Sequence, residues 1–415
     1  MTAQPNDAAI KPERRTRSFL KDRLRSWNGG LDRTFWTVWA GTLTNQLGSM
    51  VIPYLGTYMA QERHISLHMV GVVLSVSGFG SILSQFCAGW CVDRFGYRIT
   101  MTAGMAGTGM FLFLLGVADN MTMIVICTLL VGLTGDMHRP ASAALVADMC
   151  SPAERPRAYG LLYWAVNLGY AVSMVTGGTL VRYGFTLLFW FNATTCLTAA
   201  ALVWRAVKKT SLQSTTEPDV SSRYLDAARD RLLLAYLGSW FAYGIVFCQA
   251  VTTLPLAMRM DGLSASTYGY AMAINAIIIV CIQPLASPIL TRLDPSHVLI
   301  GGVLILGAGF GCTTFVSSAT GYGLTIALWT LGEIAVSSVN QAVIASFAPA
   351  SLRGRYYGLY GVAWSTALLV APILGTTLLA KGTSYLWATC AALCVLSAAS
   401  QRMLMPRIRA RAQAA

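Results

Sequence analysis

The sequence predicts an all-α membrane protein with twelve transmembrane helices arranged as two pseudo-symmetric six-helix bundles. Of its 415 residues, 55% are hydrophobic and only 11% are charged, whereas soluble domains carry about 25% charged residues. Apolar runs of about 20 residues, each able to cross a bilayer core about 30 Å thick, recur along the whole chain. The twelve predicted runs are 34–59, 67–88, 98–118, 121–147, 158–181, 185–207, 231–257, 266–290, 297–317, 321–346, 355–380 and 383–404.

A hydrophilic insertion divides the chain into two halves. Residues 208–230 read as a linker between a first bundle at 34–207 and a second bundle at 231–404, with polar tails at 1–33 and 405–415. Internal similarity supports this division. Gly135-Asp136 of the fourth run returns as Gly332-Glu333 of the tenth, and Tyr159-Gly160 returns as Tyr357-Gly358.

The net charge of +13 is distributed unevenly between the loops. Most Lys and Arg residues fall in the tails, the linker and the loops of one side. The other side carries only Arg63, Arg182, Arg259 and Lys381. By the positive-inside rule, this asymmetry places both termini in the cytoplasm. The basic N-terminal tail lacks the apolar core of a signal peptide, and the charge is explained by topology rather than by nucleic-acid binding.

The loop between the second and third runs carries a recognisable motif, Gly89-x-x-x-Asp93-Arg94-x-Gly96-x-Arg98. It resembles the signature loop of the major facilitator superfamily. The segment from 147 to 160 and its counterpart from 348 to 358 are most similar to the twelve-helix branch that exports drugs in exchange for protons. The resemblance implies the major facilitator fold, transport by alternating access, and a substrate site between the two bundles near the membrane midplane.

The same resemblance assigns a gating role to the signature loop. It implies that Asp93 rests against the N-terminal end of the eleventh helix, where partial positive charge favours a carboxylate. It also implies that Arg94 or Arg98 reaches Asp148 at the end of the fourth helix when the transporter is open outward. Gly89 and Gly96 would permit close approach and the turn. Tyr97 replaces a basic residue that is frequent in the family.

The fifth run keeps the glycine frame of the antiporter motif but not its proline. Gly160, Gly169, Gly177 and Gly178 stand at the expected spacing, and Ser173-Met174 replaces the Gly-Pro step. The frame predicts close helix packing. The glycine frame is typical of antiporters, whereas the missing proline bend favours an importer. The fourth run also lacks the arginine that the efflux branch places near 128–131.

Two acidic residues, Asp136 and Glu333, fall near the middle of apolar runs at equivalent points of the repeat. A charge at that depth costs roughly 2.5–3.5 kcal/mol even on lenient scales, so each must face a cavity or a partner. Either could exchange a proton for a cationic substrate. Asp136 has a second interpretation, a structural pair with Arg139 on the same helix face. Pro140 predicts a kink beside it. Glu333 has no basic neighbour on its own helix, which makes it the better candidate for proton coupling.

Polar and aromatic residues on other runs complete the predicted cavity. Its proposed lining includes Asn45 and Gln46 on the first run, Tyr243 on the seventh, and Asn340 and Gln341 on the tenth. We expect Asn45 and Asn340 to line one water-accessible cavity. The aromatic series of the seventh run, which also contains Tyr236, Trp240 and Phe247, has two interpretations: helix packing, or a stacking wall for a flat ligand.

The remaining motifs exclude other classes of protein. The chain contains no H-E-x-x-H sequence, no phosphate-binding G-x-x-x-x-G-K-[ST] loop and only four histidines, so neither an enzyme nor ATP-driven transport is indicated. The ten cysteines are scattered and predict no metal site and no disulfide framework. We expect a transporter of a small molecule, monomeric in the lipid bilayer of the cell membrane, with no cofactor and with the proton gradient as its energy source.

Overall fold

The computed structural model describes residues 31–151, 154–207, 227, 229–348 and 353–414. The predicted N-terminal tail and nearly all of the predicted linker lie outside the described residues. Every regular element within them is a helix, so the predicted all-α membrane fold is confirmed.

The described residues of the first half form seven α-helices. They are α1 Arg33–Leu47, α2 Val51–Gln61, α3 Leu67–Gly116, α4 Met121–Gly135, α5 His138–Met149, α6 Arg155–Leu180 and α7 Phe185–Ala206. The first predicted run is divided between α1 and α2, α3 contains the second and third runs, and α4 with α5 forms the fourth. The helices α6 and α7 are the fifth and sixth.

Seven further α-helices form the second half. They are α8 Arg231–Thr252, α9 Leu254–Met260, α10 Ala265–Leu290, α11 Pro295–Cys312, α12 Ala319–Phe347, α13 Arg353–Lys381 and α14 Thr383–Ala414. The seventh run is divided between α8 and α9 at Thr253.

Ten helical segments of the described chain are long and apolar enough to cross a membrane. The other two predicted runs are the first and the fifth. The first is interrupted at 48–50, so that neither α1, of 15 residues, nor α2, of 11 residues, is long enough alone. The helix α6 has 26 residues, enough to cross a bilayer, but its arginines, glycines and polar residues reduce its hydropathy.

Two local breaks position the motifs found in the sequence. Gly96 adopts φ 80° and ψ 168° inside α3, a conformation that glycine tolerates best. The chain reverses there between the second and third runs. The second break separates α4 from α5 at Asp136 and Met137. Pro140 lacks the N–H that would bond the carbonyl of residue 136, so the predicted kink is confirmed.

Capping side chains set where several helices begin. The side chain of Asn120 accepts a hydrogen bond from the Met123 N–H at 2.8 Å before α4. Ser264 and Ser318 do the same before α10 and α12. Such caps satisfy N–H groups that have no partner inside the helix. These caps lie in short connections at one end of the molecule, which we call the far end. The arginine-rich loops lie at the opposite end. The end with the arginine-rich loops is called the basic end.

Small residues bring the two bundles together. A Cβ atom on Gly78 of α3 would lie 2.5 Å from the backbone of Leu368 and Leu369 on α13. At the second interface, a Cβ on Gly269 of α10 would lie 2.5 Å from the Met174 carbonyl oxygen on α6. Backbones approach this closely only where side chains are absent. The helices α3 with α13, and α6 with α10, therefore form the seams between the bundles.

The described contacts between the bundles are concentrated toward the far end. Tyr54 of α2 and Tyr268 of α10 meet edge to face with ring centres 5.5 Å apart. Arg182 of the first bundle donates to the Ser266 hydroxyl of the second at 3.3 Å, and the hydroxyl oxygens of Thr179 and Tyr270 lie 3.4 Å apart across the same seam. The structure is closed at the far end along the α6–α10 seam.

Candidate functional site

A polar cavity of about 240 Å³ lies within the first bundle. Helices α1, α2, α3, α4, α5 and α7 surround it, and Leu368 of α13 contributes from the second bundle. Its polar lining residues are Asn45, Gln46, Ser49, Ser77, Ser81, Thr108, Asp136, His138, Arg139 and Asn192. The four residues of this half that the sequence predicts for proton coupling or the substrate cavity, Asn45, Gln46, Asp136 and Arg139, are thus brought together.

Asp136 and Arg139 form an ion pair at the break between α4 and α5. The Arg139 Nε atom lies 3.7 Å from Asp136 Oδ1, with the arginine side chain 58% exposed and the aspartate 23% exposed. A pair at this distance and exposure is worth little, about 0–1 kcal/mol. Both side chains therefore remain available to the cavity, and the pair does not by itself explain why an acid is kept here.

His138, between the two charged residues in the chain, also lines the cavity but is largely buried. Its Nδ1 is 2.8 Å from the Gly135 carbonyl oxygen, and its side chain is buried. This hydrogen bond holds the imidazole at the edge of the helix break.

Glu333 occupies the equivalent point of the second bundle in a different environment. It is 9% exposed and accepts a hydrogen bond from Asn275 Nδ2 of α10 at 2.8 Å. The same nitrogen is 3.0 Å from the Thr330 hydroxyl. Within the described chain no basic side chain pairs with Glu333. A buried carboxylate with only neutral partners is expensive in a low-dielectric setting.

The two acids are therefore not held in one common cavity. Asp136 lines the first-bundle cavity, whereas Glu333 is buried between α10 and α12. The helix α12 continues unbroken past Glu333, unlike the α4–α5 break at Asp136. The sequence repeat predicts equivalent positions, but local helix geometry makes one acid accessible and the other enclosed.

The aromatic series of α8 packs within the second bundle in this structure. The ring centres of Trp240 and Tyr243 are 4.8 Å apart and nearly parallel. Trp240 also stacks on Tyr360 of α13 at 4.6 Å, and Tyr243 is buried. Of the two interpretations, helix packing describes this conformation. Sequence reasoning missed Tyr360 and its neighbour Trp364, because no periodic signal links α13 to α8.

The expectation that Asn340 shares a cavity with Asn45 is wrong for this conformation. Asn340 is 2% exposed; its Oδ1 accepts from the Tyr236 hydroxyl and its Nδ2 donates to the Tyr360 hydroxyl at 2.7 Å. These bonds point the amide between α8 and α13. Gln341, the next residue, is exposed, and its carbonyl accepts from Tyr357 at 3.0 Å.

The signature loop differs from its expected contacts. Tyr97, in place of Arg94 or Arg98, donates a hydrogen bond to Asp148. The Arg98 guanidinium carbon lies 3.9 Å above the Trp204 ring of α7, an arrangement that favours a flat cation. Arg94 is exposed, and the side chain of Asp93 lies outside the described residues.

The glycines of these motifs have unequal roles. A Cβ on Gly169 would lie 2.6 Å from Gln46 Cβ, and one on Gly177 would lie 2.8 Å from the Tyr54 ring. Gly178 approaches the Ser266 carbonyl oxygen in the other bundle, where a Cβ would be 3.0 Å away. Gly89 and Gly160 have open space around them. Close packing on α6 is thus strongest toward the far end, where the bundles meet.

Several functional candidates were missed by sequence reasoning. Ser77, Ser81, Thr108 and Asn192 line the first-bundle cavity. Thr108 Oγ1 lies 2.9 Å from Thr134 Oγ1, so a hydrogen bond between the two hydroxyl groups links α3 to α4. The signal that could have identified them is a polar residue inside an apolar run. This signal is weak for Ser and Thr, because their hydroxyl groups can donate a hydrogen bond to a backbone carbonyl of their own helix.

Comparison with known proteins agrees with this architecture. The sequence profile of the Major Facilitator Superfamily matches residues 38–262 and 250–414. The chain is 22% identical over 392 residues to a protein of Planococcus maritimus named Na(+), Li(+), K(+)/H(+) antiporter, with 81% of this chain and 91% of that protein covered. It is 24% identical over 310 residues to the multidrug resistance protein MdtH of Escherichia coli, covering 74% and 77%.

A solved structure shows the same fold. The peptide transporter POT in complex with sulfate superposes with a TM-score of 0.75 and 15% sequence identity, covering 91% of this chain and 95% of that one. The profile match spans nearly all of the helical region, and the relatives are named as transport proteins rather than enzymes. The chain belongs to the Major Facilitator Superfamily and is a multi-pass membrane transporter.

Proposed function

We propose that the protein is a proton-coupled exporter of a small amphipathic organic compound that works by alternating access. The observation that carries this proposal is Glu333, a buried acid whose hydrogen-bond partner is the neutral amide of Asn275. A carboxyl group in that setting is most stable when it holds a proton or faces a cation. The names of two relatives, an antiporter and a multidrug resistance protein, support exchange of an ion for a substrate.

The first-bundle cavity supplies the polar part of the proposed substrate site. Asp136 and Arg139 offer both signs of charge, and Asn45, Gln46 and Asn192 offer amide groups. A ligand lying between this cavity and the aromatic side chains of α13 would meet polar groups on one side and apolar rings on the other. This combination suits an amphipathic molecule.

The basic end is proposed to face the cytoplasm, because its loops carry most of the arginines. With the far end closed by Tyr54 and Tyr268, the structure would then be closed to the outside of the cell. Both termini would be cytoplasmic in the cell membrane. The chain would act as a monomer without a cofactor, and the proton gradient would supply the energy.

The alternative is a proton-coupled importer of a small nutrient on the same fold. The observation that favours it is the uninterrupted helix α6, which runs from Arg155 to Leu180 where the antiporter motif would have a proline bend. Transport direction in inside-out vesicles under an imposed pH gradient separates the two functions. Uptake into acidified vesicles supports export, and loss of preloaded compound from them supports import.

The decisive experiment is Glu333→Gln in a strain that lacks its own exporters. A panel of amphipathic compounds is screened for growth inhibition, and the compounds against which the wild-type protein protects are then tested for substrate-driven proton movement. We expect Glu333→Gln to abolish proton movement, because the amide cannot take up a proton, while the fold is retained. The control Glu62→Gln makes the same change at an exposed acid outside the proposed site and should leave proton movement unchanged. Full proton movement in Glu333→Gln would overturn the proposal.

A further inference from the structure

Two side chains of opposite charge lie side by side in the first-bundle cavity. Arg139 Nε is 3.7 Å from Asp136 Oδ1, a longer separation than the roughly 2.7–2.9 Å of a close hydrogen bond between charged groups. In the described part of the chain neither side chain makes a further hydrogen bond or ion pair. His138 also lines the cavity, and its Nδ1 is held by the Gly135 carbonyl oxygen at 2.8 Å. The carboxylate and the guanidinium therefore both have hydrogen-bonding positions free for a ligand.

A buried amide without a partner lies in the same cavity. Gln46 of α1 is 6% exposed and belongs to the lining, and its side-chain amide has no hydrogen-bond partner among the described residues. A Cβ on Gly169 of α6 would lie 2.6 Å from Gln46 Cβ, so close helix packing fixes where this side chain starts. A buried amide costs free energy unless water or a ligand supplies its hydrogen bonds. The cavity is therefore suited to receive polar groups.

The size and the apolar side of the cavity indicate how a ligand lies in it. At about 240 Å³ it is smaller than the roughly 300–1,000 Å³ of pockets that enclose drug-sized ligands. Leu368 of α13 contributes to one side, and Trp364, one helical turn earlier, shares that helix face. The cavity therefore suits the polar head of a ligand whose apolar part extends toward α13.

The neighbouring opposite charges discriminate between possible heads. A ligand with only an ammonium group would be attracted by Asp136 and repelled by the adjacent Arg139, and a ligand with only a carboxylate would meet the reverse. Because the two charges are so close together, attraction and repulsion largely cancel. A head that carries both charges on neighbouring groups can pair each with its opposite. Separating the two residues costs little, because an ion pair at this distance and exposure is weak.

We propose that the cavity binds the zwitterionic head of a hydrophobic α-amino acid or of a compound built on one. The ammonium group binds Asp136, the carboxylate binds Arg139, and the Gln46 amide supplies a further hydrogen bond. The apolar side chain of the ligand lies against Leu368. This inference rests on the proposed function, since it names the class of compound that the same site carries.

Equilibrium binding to the purified full-length protein in lipid nanodiscs tests this charge preference without a proton gradient. Three probes share one apolar part: phenylalanine, 2-phenylethylamine, which lacks the carboxylate, and 3-phenylpropionate, which lacks the ammonium group. Isothermal titration calorimetry gives the affinity of each. We expect phenylalanine to bind at least about tenfold more tightly than either analogue, as for the loss of one hydrogen bond between charged groups.

Two variants assign each half of the head to its partner. Arg139→Gln should lose the preference for phenylalanine over 2-phenylethylamine and keep the preference over 3-phenylpropionate, and Asp136→Asn should do the converse. A purely structural pair would instead weaken binding of all three probes together. Asp119→Asn is the matched control, because Asp119 pairs with Arg63 at 3.8 Å outside this cavity, and it should leave all three affinities unchanged. Glu333→Gln should also keep the wild-type preference.

Three results overturn the zwitterion assignment: equal affinities for phenylalanine and 2-phenylethylamine, no binding of phenylalanine, or parallel weakening of all three probes in both variants. Each of these results leaves proton-coupled export of other compounds intact. The proposed function fails by a different measurement, when Glu333→Gln retains full proton movement, and the binding preference stands without it.

Discussion

At the scale of single residues, two acids that the repeat makes equivalent have different surroundings. Asp136 follows the end of α4 and pairs loosely with Arg139 beside a cavity. Glu333 lies inside the unbroken helix α12 and bonds to Asn275. The difference arises from Pro140, which prevents the first-half helix from continuing regularly. The first site suits binding of a polar ligand, and the second suits storage of a proton.

Cysteine labelling tests this division of the polar residues. We expect Asn45→Cys to react readily with a small hydrophilic thiol reagent, because Asn45 lines the cavity. Asn340→Cys should react at least about tenfold more slowly, because local opening must come first at a site that is 2% exposed. The background must lack the exposed Cys87, Cys281 and Cys312. Equal reaction rates at both positions would place Asn340 in an accessible cavity.

At the scale of helices, glycines decide how closely the bundles pack. Gly78 of α3 meets the backbone of α13, where a Cβ would lie 2.5 Å from Leu368 and Leu369. Backbone atoms cannot move aside as a flexible side chain would. The seam between α3 and α13 therefore requires glycine at this position, in contrast to glycines that face open space.

We predict that Gly78→Ala destabilises the protein by about 1–3 kcal/mol through overpacking of this seam. Gly238→Ala is the matched control, because nothing lies within 4 Å of a Cβ at Gly238 of α8. In a helix interior it should be neutral or stabilising by up to about 1 kcal/mol. Thermal unfolding of both purified variants checks the prediction. A Gly78→Ala protein as stable as wild type would mean that the bundles can separate at the seam without cost.

At the scale of the whole molecule, the last helix extends beyond the membrane and binds the basic end of its own bundle. The helix α14 has 32 residues, or about 48 Å at 1.5 Å per residue, against a bilayer core of about 30 Å. Residues 405–415, expected from the sequence to be a separate tail, continue this helix as far as Ala414. Arg411 pairs with Asp230 at 2.5 Å, and Arg409 pairs with Asp294 at 2.5 Å.

These contacts lower the pKa of both carboxyl groups. Burial alone would raise the pKa of Asp230, but hydrogen bonds from Tyr356, Arg411 and the Leu232 N–H outweigh it and lower the pKa. The Ser296 N–H lowers the pKa of Asp294, with a further contribution from Arg409. A carboxyl group with a lowered pKa in the folded state stabilises the fold at neutral pH. That contribution begins to decrease when the pH falls below about 4, the pKa of the carboxyl group in the unfolded chain. It is lost once the pH falls through the lower pKa of the folded state.

We therefore predict that Arg411→Ala lowers the thermal midpoint at pH 7 and that its effect shrinks in acid. The expected loss at pH 7 is about 1 kcal/mol, because the pair is partly exposed. Arg407→Ala is the control, since Arg407 is exposed on the same helix and no described acid pairs with it. Unfolding curves at pH 7 and at about pH 2 provide the comparison, because the contribution is lost below the unfolded pKa of about 4. A difference between wild type and Arg411→Ala that grows as the pH falls would contradict the assignment.

The sequence by itself determined the helical membrane fold, the turn at Gly96 and the break beside Pro140. Each follows from a local property: the length of an apolar run, a backbone conformation that glycine tolerates, or a hydrogen bond that proline cannot make. It also identified Asp136 and Glu333 as acids at bilayer depth, because composition alone makes them exceptional.

Only the tertiary structure decided what those residues face. It placed Asn45 beside a cavity and Asn340 between two tyrosines. It also showed that Tyr97 donates a hydrogen bond to Asp148 and that Arg98 lies over the Trp204 ring. These contacts join residues far apart in the chain, and they depend on how each helix is rotated and which end of the molecule is closed. Neither quantity is encoded in any single run of residues.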